Sequence, residues 1–265
     1  MTMADMNLIK QLREATFAPL GDCKSALDEA NGDIERAKQI LKEKGIAKAW
    51  KKADRETNEW MIQIVTENGK TVVLKLLCET DFVVKNDRFQ TLFTNILDLL
   101  KKQDGEMEGY DNLPADTQAA ITDLLTSFVG TIGENVKIGD VLVTSEHVYG
   151  YNHPGNKVAS LIYYTGDEAI AKKLALQVAA MDPTYLTFDE VPQAEKDAAT
   201  ARFTEELKAQ GKPEAMIPQI VAGKLNKEFA EDVLMEQESI HDNTKRVKDM
   251  VSGDFQISKF KRFAI

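Results

Sequence analysis

The sequence predicts an α+β protein: a three-helix N-terminal module, then a duplicated core of two small antiparallel sheets faced by helices, with an inserted helical hairpin. Three observations carry the prediction. Apolar residues recur at helical spacing, with breaks, over residues 5–45. A β-hairpin signal followed by an amphipathic helix occurs twice, at 60–102 and at 147–181, with little sequence identity between the copies. A charged, helix-forming stretch at 191–237 follows the second copy. The implied organisation is a module at 1–45, a linker at 46–58, a core subdomain at 59–145 and a second at 146–265 that holds the hairpin 191–237.

In the module, Leu8, Ile9, Leu12 and Arg13 open a short amphipathic helix. Thr16-Phe17-Ala18-Pro19-Leu20-Gly21 interrupts it, because Pro19 lacks an N–H and cannot simply continue a helix. Asp22 is the expected cap of a second helix through Glu29, with Cys23, Ala26, Leu27 and Ala30 inward. Asn31-Gly32 turns the chain, and Asp33 caps a third helix with Ile34, Ala37, Ile40 and Leu41 on one face and Gly45 at its end. Three short helices bury little surface, so docking suits this module better than catalysis. Residues 46–58 are polar and alanine-rich, with Lys48, Lys51, Lys52 and Arg55, and read as a helical linker. Trp50 and Trp60 flank it as core anchors.

The core begins with a strand at 60–66, the hairpin turn Glu67-Asn68-Gly69-Lys70, and a return strand at 71–78. A helix from about Asp87 carries Phe89, Leu92, Phe93, Ile96, Leu97 and Leu100 at helical spacing. Residues 105–114 read as a loop, 115–131 as a helix and 136–144 as a strand. The pattern then recurs: strand 147–151, turn 152–156, strand 157–164, and a helix from Gly166-Asp167 with Ile170, Leu174, Val178 and Met181 on its apolar face. In the charged stretch, Gly211-Lys212-Pro213 joins two helices as a cap and an N1 proline. Pro218 requires a kink or a later helix start. Residues 239–250 read as a further polar helix, and 255–263 alternate as a strand completing the second sheet.

With 265 residues, 43% of them hydrophobic and 29% charged, the chain has the composition of a soluble globular protein. A net charge of −10 argues against a nucleic-acid binder, which needs a basic face for phosphates. It also favours approach to a basic partner surface. Cys23 and Cys78 show no CxxC spacing, which fits reduced, buried thiols and a cytosolic setting. Met1 to Asp5 is neither basic nor followed by a long apolar run, and no segment approaches ~20 uninterrupted apolar residues. Neither a signal peptide nor a membrane span is expected. His147, His153 and His241 are scattered, and no Ser-His-Asp set, paired carboxylates, metal-ligand spacing or Gly-rich phosphate loop stands out. No enzyme chemistry, cofactor or self-association is predicted.

The stretch that stands apart is Cys78-Glu79-Thr80-Asp81-Phe82-Val83-Val84-Lys85-Asn86. An apolar strand ends there, and a carboxylate and an aromatic ring sit side by side at its tip. Such a corner is a poor active site but a good wedge: the ring pries at a partner's packing, and the carboxylate repels phosphate or perturbs a metal site. From the residue types alone, Phe82 equally fits a staple seating the next helix, and Asp81 a plain turn former.

Five stretches in chain order carry a family resemblance. They are Asp22-Cys23-Lys24-Ser25-Ala26-Leu27 running on through Glu29-Ala30-Asn31-Gly32-Asp33-Ile34-Glu35-Arg36-Ala37; Thr80-Asp81-Phe82-Val83-Val84-Lys85-Asn86; Ile132-Gly133-Glu134-Asn135; Ala175-Leu176-Gln177-Val178-Ala179-Ala180; and Gly211-Lys212-Pro213. Together they resemble the translation elongation factor Ts family. The resemblance implies a guanine-nucleotide exchange factor for elongation factor Tu, with no covalent chemistry. It implies a ubiquitin-associated-like N-terminal module that docks on the partner's nucleotide-binding domain. Thr80, Asp81, Phe82 and Val83 become the segment that dislodges the partner's magnesium so that GDP leaves, and Gln177 a secondary partner contact. The chain departs from the family at Thr16-Phe17-Ala18-Pro19, where a Thr-Gly-Ala pattern is common, at Ser25-Ala26, and at Gln177, where most members carry histidine. The chain also ends two residues after its last strand, so contacts from a further helix are not expected. The alternative function is a non-catalytic adaptor built on the same ubiquitin-associated-like module.

Overall fold

The computed structural model describes residues 6–16 and 18–264. The expectations placed on residues 1–5, on Phe17, and on the side chains of Lys48 and Trp50 lie outside what it describes. The chain is α+β with small antiparallel sheets, and it divides into two compact units, one ending at Ser145 and one beginning at Glu146.

The first unit opens with α1 (Met6–Thr16), α2 (Leu20–Glu29) and α3 (Ile34–Trp50) around Ile9, Leu12, Cys23, Ala26, Leu27, Ala37 and Ile40. Asp33 caps α3 by accepting the Arg36 N–H at 3.0 Å. Two details differ from the sequence reading. Helix α2 starts at Leu20, directly behind Pro19, so Asp22 lies in its first turn rather than at the cap. A carboxylate there still faces the positive end of the helix dipole. Helix α3 runs through Gly45 to Trp50 and absorbs the start of the expected linker. Gly45 lies inside the helix at a close crossing: a Cβ placed on Gly130 of a later helix would meet the Gly45 Cα at 2.8 Å.

Strands β1 (Glu59–Glu67) and β2 (Lys70–Cys78) pair antiparallel across Asn68-Gly69. Both turn residues have positive φ, +53° and +75°, which selects Asn then Gly. A one-turn helix α4 (Asp81–Val84) and then α5 (Asp87–Lys101) follow. A two-residue strand β3 (Met107–Glu108) and a 3-10 turn lie within the expected loop. After them come α6 (Ala115–Ile132) and β4 (Val136–Thr144), giving the sheet order β1-β2-β4-β3. Phe89, Phe93 and Ile96 of α5 and Ile121 and Phe128 of α6 bury one face of this sheet over Val72, Leu74, Leu76, Val141 and Val143.

The second unit repeats the scheme. Strands β5 (Val148–Asn152) and β6 (Ala159–Thr165) form a hairpin, and α7 (Glu168–Met181), capped by Asp167, packs Leu174 and Val178 on Ile162 and Tyr164. The helical hairpin is α8 (Gln193–Ala209) and α9 (Ile217–Glu228), reversed at Gly211 with φ +69°. Leu207, Ile217 and Val221 form a small core along it. Pro218 is accommodated by the later start, in the first turn of α9 behind a 3-10 turn. Pro213 precedes that 3-10 turn and is not the first residue of α9. Residues 239–250 are not a polar helix: β7 (Glu238–Ser239) and β8 (Asp242–Arg246) make a tight ribbon, and only α10 (Val247–Met250) is helical. The Ser239 and Asp242 side chains take backbone N–H groups of the turn, which competes with helical bonding. Strand β9 (Gln256–Phe263) completes the sheet, in order β5-β6-β9. In each unit a third strand therefore lies beside the second strand of the hairpin.

Candidate partner-docking corner

Strand β2 ends at Cys78, and the chain stays extended at Thr80 (φ −131°, ψ 155°) before winding into α4. Within that single turn the side chains divide. Val83 is buried with the first core, Val84 is half-buried, and Phe82 is 79% exposed. Val83, not Phe82, seats the turn. The carboxylate of Asp81 accepts from Lys85 at 2.7 Å, one turn on. That bond holds the Asp81 carboxyl below its ordinary value and lifts Lys85 above its own, so both are charged at neutral pH. An exposed ring thus sits beside a charge pair that neutralises itself.

Four residues cannot sustain a helix alone, because nucleation is costly. Tertiary bonds hold this one. Its last carbonyl, at Val84, accepts from the Gln90 amide at 2.7 Å. Asn86 separately caps α5 through the Arg88 N–H. At the front, the Glu134 carboxylate accepts the Thr80 N–H at 3.1 Å and the Thr80 hydroxyl at 3.0 Å. In return Glu79 accepts the Asn135 N–H at 2.7 Å. The buried Asn135 amide donates to the carbonyls of Ala53 at 3.3 Å and Arg55 at 2.9 Å. Lys52 donates to the Gly133 carbonyl, and Arg55 faces Glu79 at 3.4 Å.

Two motifs far apart in sequence, Thr80-Asp81-Phe82-Val83 and Ile132-Gly133-Glu134-Asn135, therefore meet. Glu79, Glu134, Asn135, Lys52 and Arg55 had no assigned role from the sequence. The available signal was a pair of acid-plus-polar dipeptides, Glu79-Thr80 and Glu134-Asn135, each at the tip of a strand. Lys52 and Arg55, expected in a linker, are knitted into this platform.

Gln177 was expected at a partner contact. It is 1% exposed. Its amide nitrogen donates to the Gln237 side chain and the Glu238 carbonyl, both at 3.0 Å, and its oxygen accepts the Ile240 N–H at 2.9 Å. These bonds tie the buried side chain to Gln237, to the start of β7 and to the turn that follows it. Ile240, beside it, is 44% exposed.

An exposed ring on a braced corner offers burial and charge, not proton transfer. Among the described residues, no group of three or more His, Cys, Asp or Glu side chains is placed to hold a metal ion, and no helix is long and apolar enough to cross a membrane. The corner therefore presents an exposed aromatic ring on a braced turn, a geometry suited to docking. The comparisons give the family. Residues 79–265 match the family model described as elongation factor TS. The chain is 39% identical over 264 residues to elongation factor Ts of Hydrogenobaculum sp., covering 97% of each. It is 36% identical to elongation factor Ts of Aquifex aeolicus, covering 98% of this chain and 97% of that one. It is also 36% identical to the Deinococcus deserti protein of the same name, covering 98% and 99%. The chain belongs to the elongation factor Ts family of translation factors.

Proposed function

We propose that this protein is a guanine-nucleotide exchange factor that binds elongation factor Tu carrying GDP in the cytoplasm and speeds GDP release by disturbing the partner's magnesium site. The observation that carries this reading is Phe82, 79% exposed on a corner anchored from three sides. Thr80, Asp81, Phe82 and Val83 form the working segment with divided roles: Phe82 enters the partner, Asp81 meets groups exposed by that entry, and Thr80 and Val83 hold the turn. The three-helix module serves as a ubiquitin-associated-like docking domain.

No covalent bond is needed. A factor that prefers the nucleotide-free partner must weaken nucleotide binding by the same ratio. Magnesium bridges and neutralises phosphate oxygens, so displacing it leaves phosphate charge uncompensated. Burying one Phe side chain contributes about 1.5–3 kcal/mol. A nanomolar nucleotide corresponds to about 12 kcal/mol. The corner cannot drive release alone, so a broad interface supplies most of the coupling and Phe82 is its local lever.

The test mixes this protein, well below stoichiometry, with elongation factor Tu bound to fluorescent GDP, at low and at excess magnesium. Multiple turnovers of accelerated release are expected. Tight binding without acceleration would favour the second reading, a non-catalytic adaptor using the same helical module.

A further inference from the structure

We propose that Glu134 is a positioning residue for the docking corner: its carboxylate fixes the direction in which Phe82 projects. This rests on the exchange reading above.

The geometry at Thr80 carries the inference. Thr80 occupies the N-cap position of α4, where a threonine hydroxyl ordinarily accepts a backbone N–H of the first turn. It makes no such bond here. Its hydroxyl lies 3.0 and 3.1 Å from the two Glu134 oxygens, and its N–H lies 3.1 Å from one of them. With the carboxylate accepting, both donors of Thr80 point across the fold, and α4 forgoes its own cap. A local bond that would stabilise the turn is exchanged for a long-range bond that orients it.

Glu134 is itself fixed. It follows Gly133, whose left-handed φ of +89° ends α6 and whose N–H closes on the Val129 carbonyl at 3.0 Å. The Lys52 ammonium bonds the Gly133 carbonyl from outside. The Asn135 amide side chain, 4% exposed, ties the next residue to residues 53 and 55. Glu79 returns the bond to the Asn135 N–H. The clasp thus closes both ways across neighbouring strand tips, and rotating the corner requires opening it. A hydrogen bond to a charged group is worth about twice a neutral one, so two on one carboxylate make a stiff joint.

The experiment uses the full chain as wild type, Glu134→Gln, Glu134→Ala and Phe82→Ala. It reads GDP release at saturating factor, affinity for the nucleotide-free partner, amide exchange and thermal unfolding. In Glu134→Ala, release is expected to slow about tenfold, the size of one lost charge-assisted bond. Affinity should change much less. Exchange of the Thr80 amide should rise about tenfold, with the α5 amides unchanged. Glu134→Gln keeps an acceptor for one donor and should fall between. Wild-type release and Thr80 protection in both variants would overturn the proposal. So would a uniform loss of protection across the first sheet, with release falling only as the folded fraction falls. If Glu134→Ala does not fold, Glu134→Gln is judged by the same criteria. If wild type itself fails to accelerate release, the exchange reading is lost, and Thr80 protection alone decides whether Glu134 orients the corner.

Discussion

The two hairpin-to-helix junctions begin alike and end differently. After β6, the chain passes Gly166 and Asp167 and enters α7 at once. Gly166 has φ +96°, and a Cβ there would meet the Phe255 backbone at 2.9 Å, so the junction is closed over by its own chain. After β2, eight residues intervene before α5, and they include the extra turn α4 with Phe82 facing outward. The same supersecondary unit is thus closed over by its own chain in one copy and left with an outward-facing ring in the other. The difference is an inserted turn, seated by Val83 and tied to Glu134, that leaves Phe82 facing outward. A junction specialised for packing should fail by unfolding, and one specialised for docking should fail by losing function with the fold intact.

That contrast can be broken at either end. The largest functional effect is expected for Phe82→Ala: GDP release at saturating factor slows tenfold or more, while thermal unfolding barely moves, because an exposed side chain adds little to stability. The largest stability effect is expected for Gly166→Ala, which combines a positive φ with a backbone clash. Each of those costs roughly 1–3 kcal/mol, and denaturant unfolding should show a loss of that order, with release by the folded fraction unchanged. A release defect in Gly166→Ala beyond its folded fraction would erase the distinction. Gln177→Ala comes next. It leaves the Ile240 N–H without its partner and should cost about 1–3 kcal/mol, read by denaturation, with raised amide exchange at Ile240. A loss of partner affinity with full stability would instead put Gln177 back at a contact.

The smallest effect is that of pH on the corner itself. Asp81 has its pKa lowered by the Lys85 bond, so the stabilisation is complete above the ordinary aspartate value of 3.8 and is lost as pH falls through the folded value. Lys85 has its pKa raised, so its side of the pair is complete below 10.5 and is lost as pH rises through its folded value. Between those limits the Phe82 amide shift should be flat by NMR, and Asp81→Asn should abolish the acid-side change.

The fold class was legible because its signals are local. Asn68-Gly69 announces the first hairpin, and the spacing of Phe89, Phe93 and Ile96 announces a helix. The exposed ring was also legible as a candidate, since an Asp-Phe pair at a strand tip has no packing pattern behind it. What escaped was tertiary. A four-residue helix has no period to detect. Gly45 looks like a helix end until Gly130 crosses it. Residues 239–250 lost their apparent helix to side chains that bond the turn. Gln177 lies on a helix whose apolar neighbours face the core, but its burial depends on Gln237 and Ile240, about sixty residues away. The clasp between Glu134 and Thr80 was invisible for the same reason.

The most direct test is a magnesium titration of GDP retention by elongation factor Tu, with saturating wild-type protein or Phe82→Ala. By linkage, wild type should move the half-saturating magnesium concentration upward by at least about fivefold, and Phe82→Ala should move it far less. Equal shifts for the two proteins, or none for either, would contradict the account.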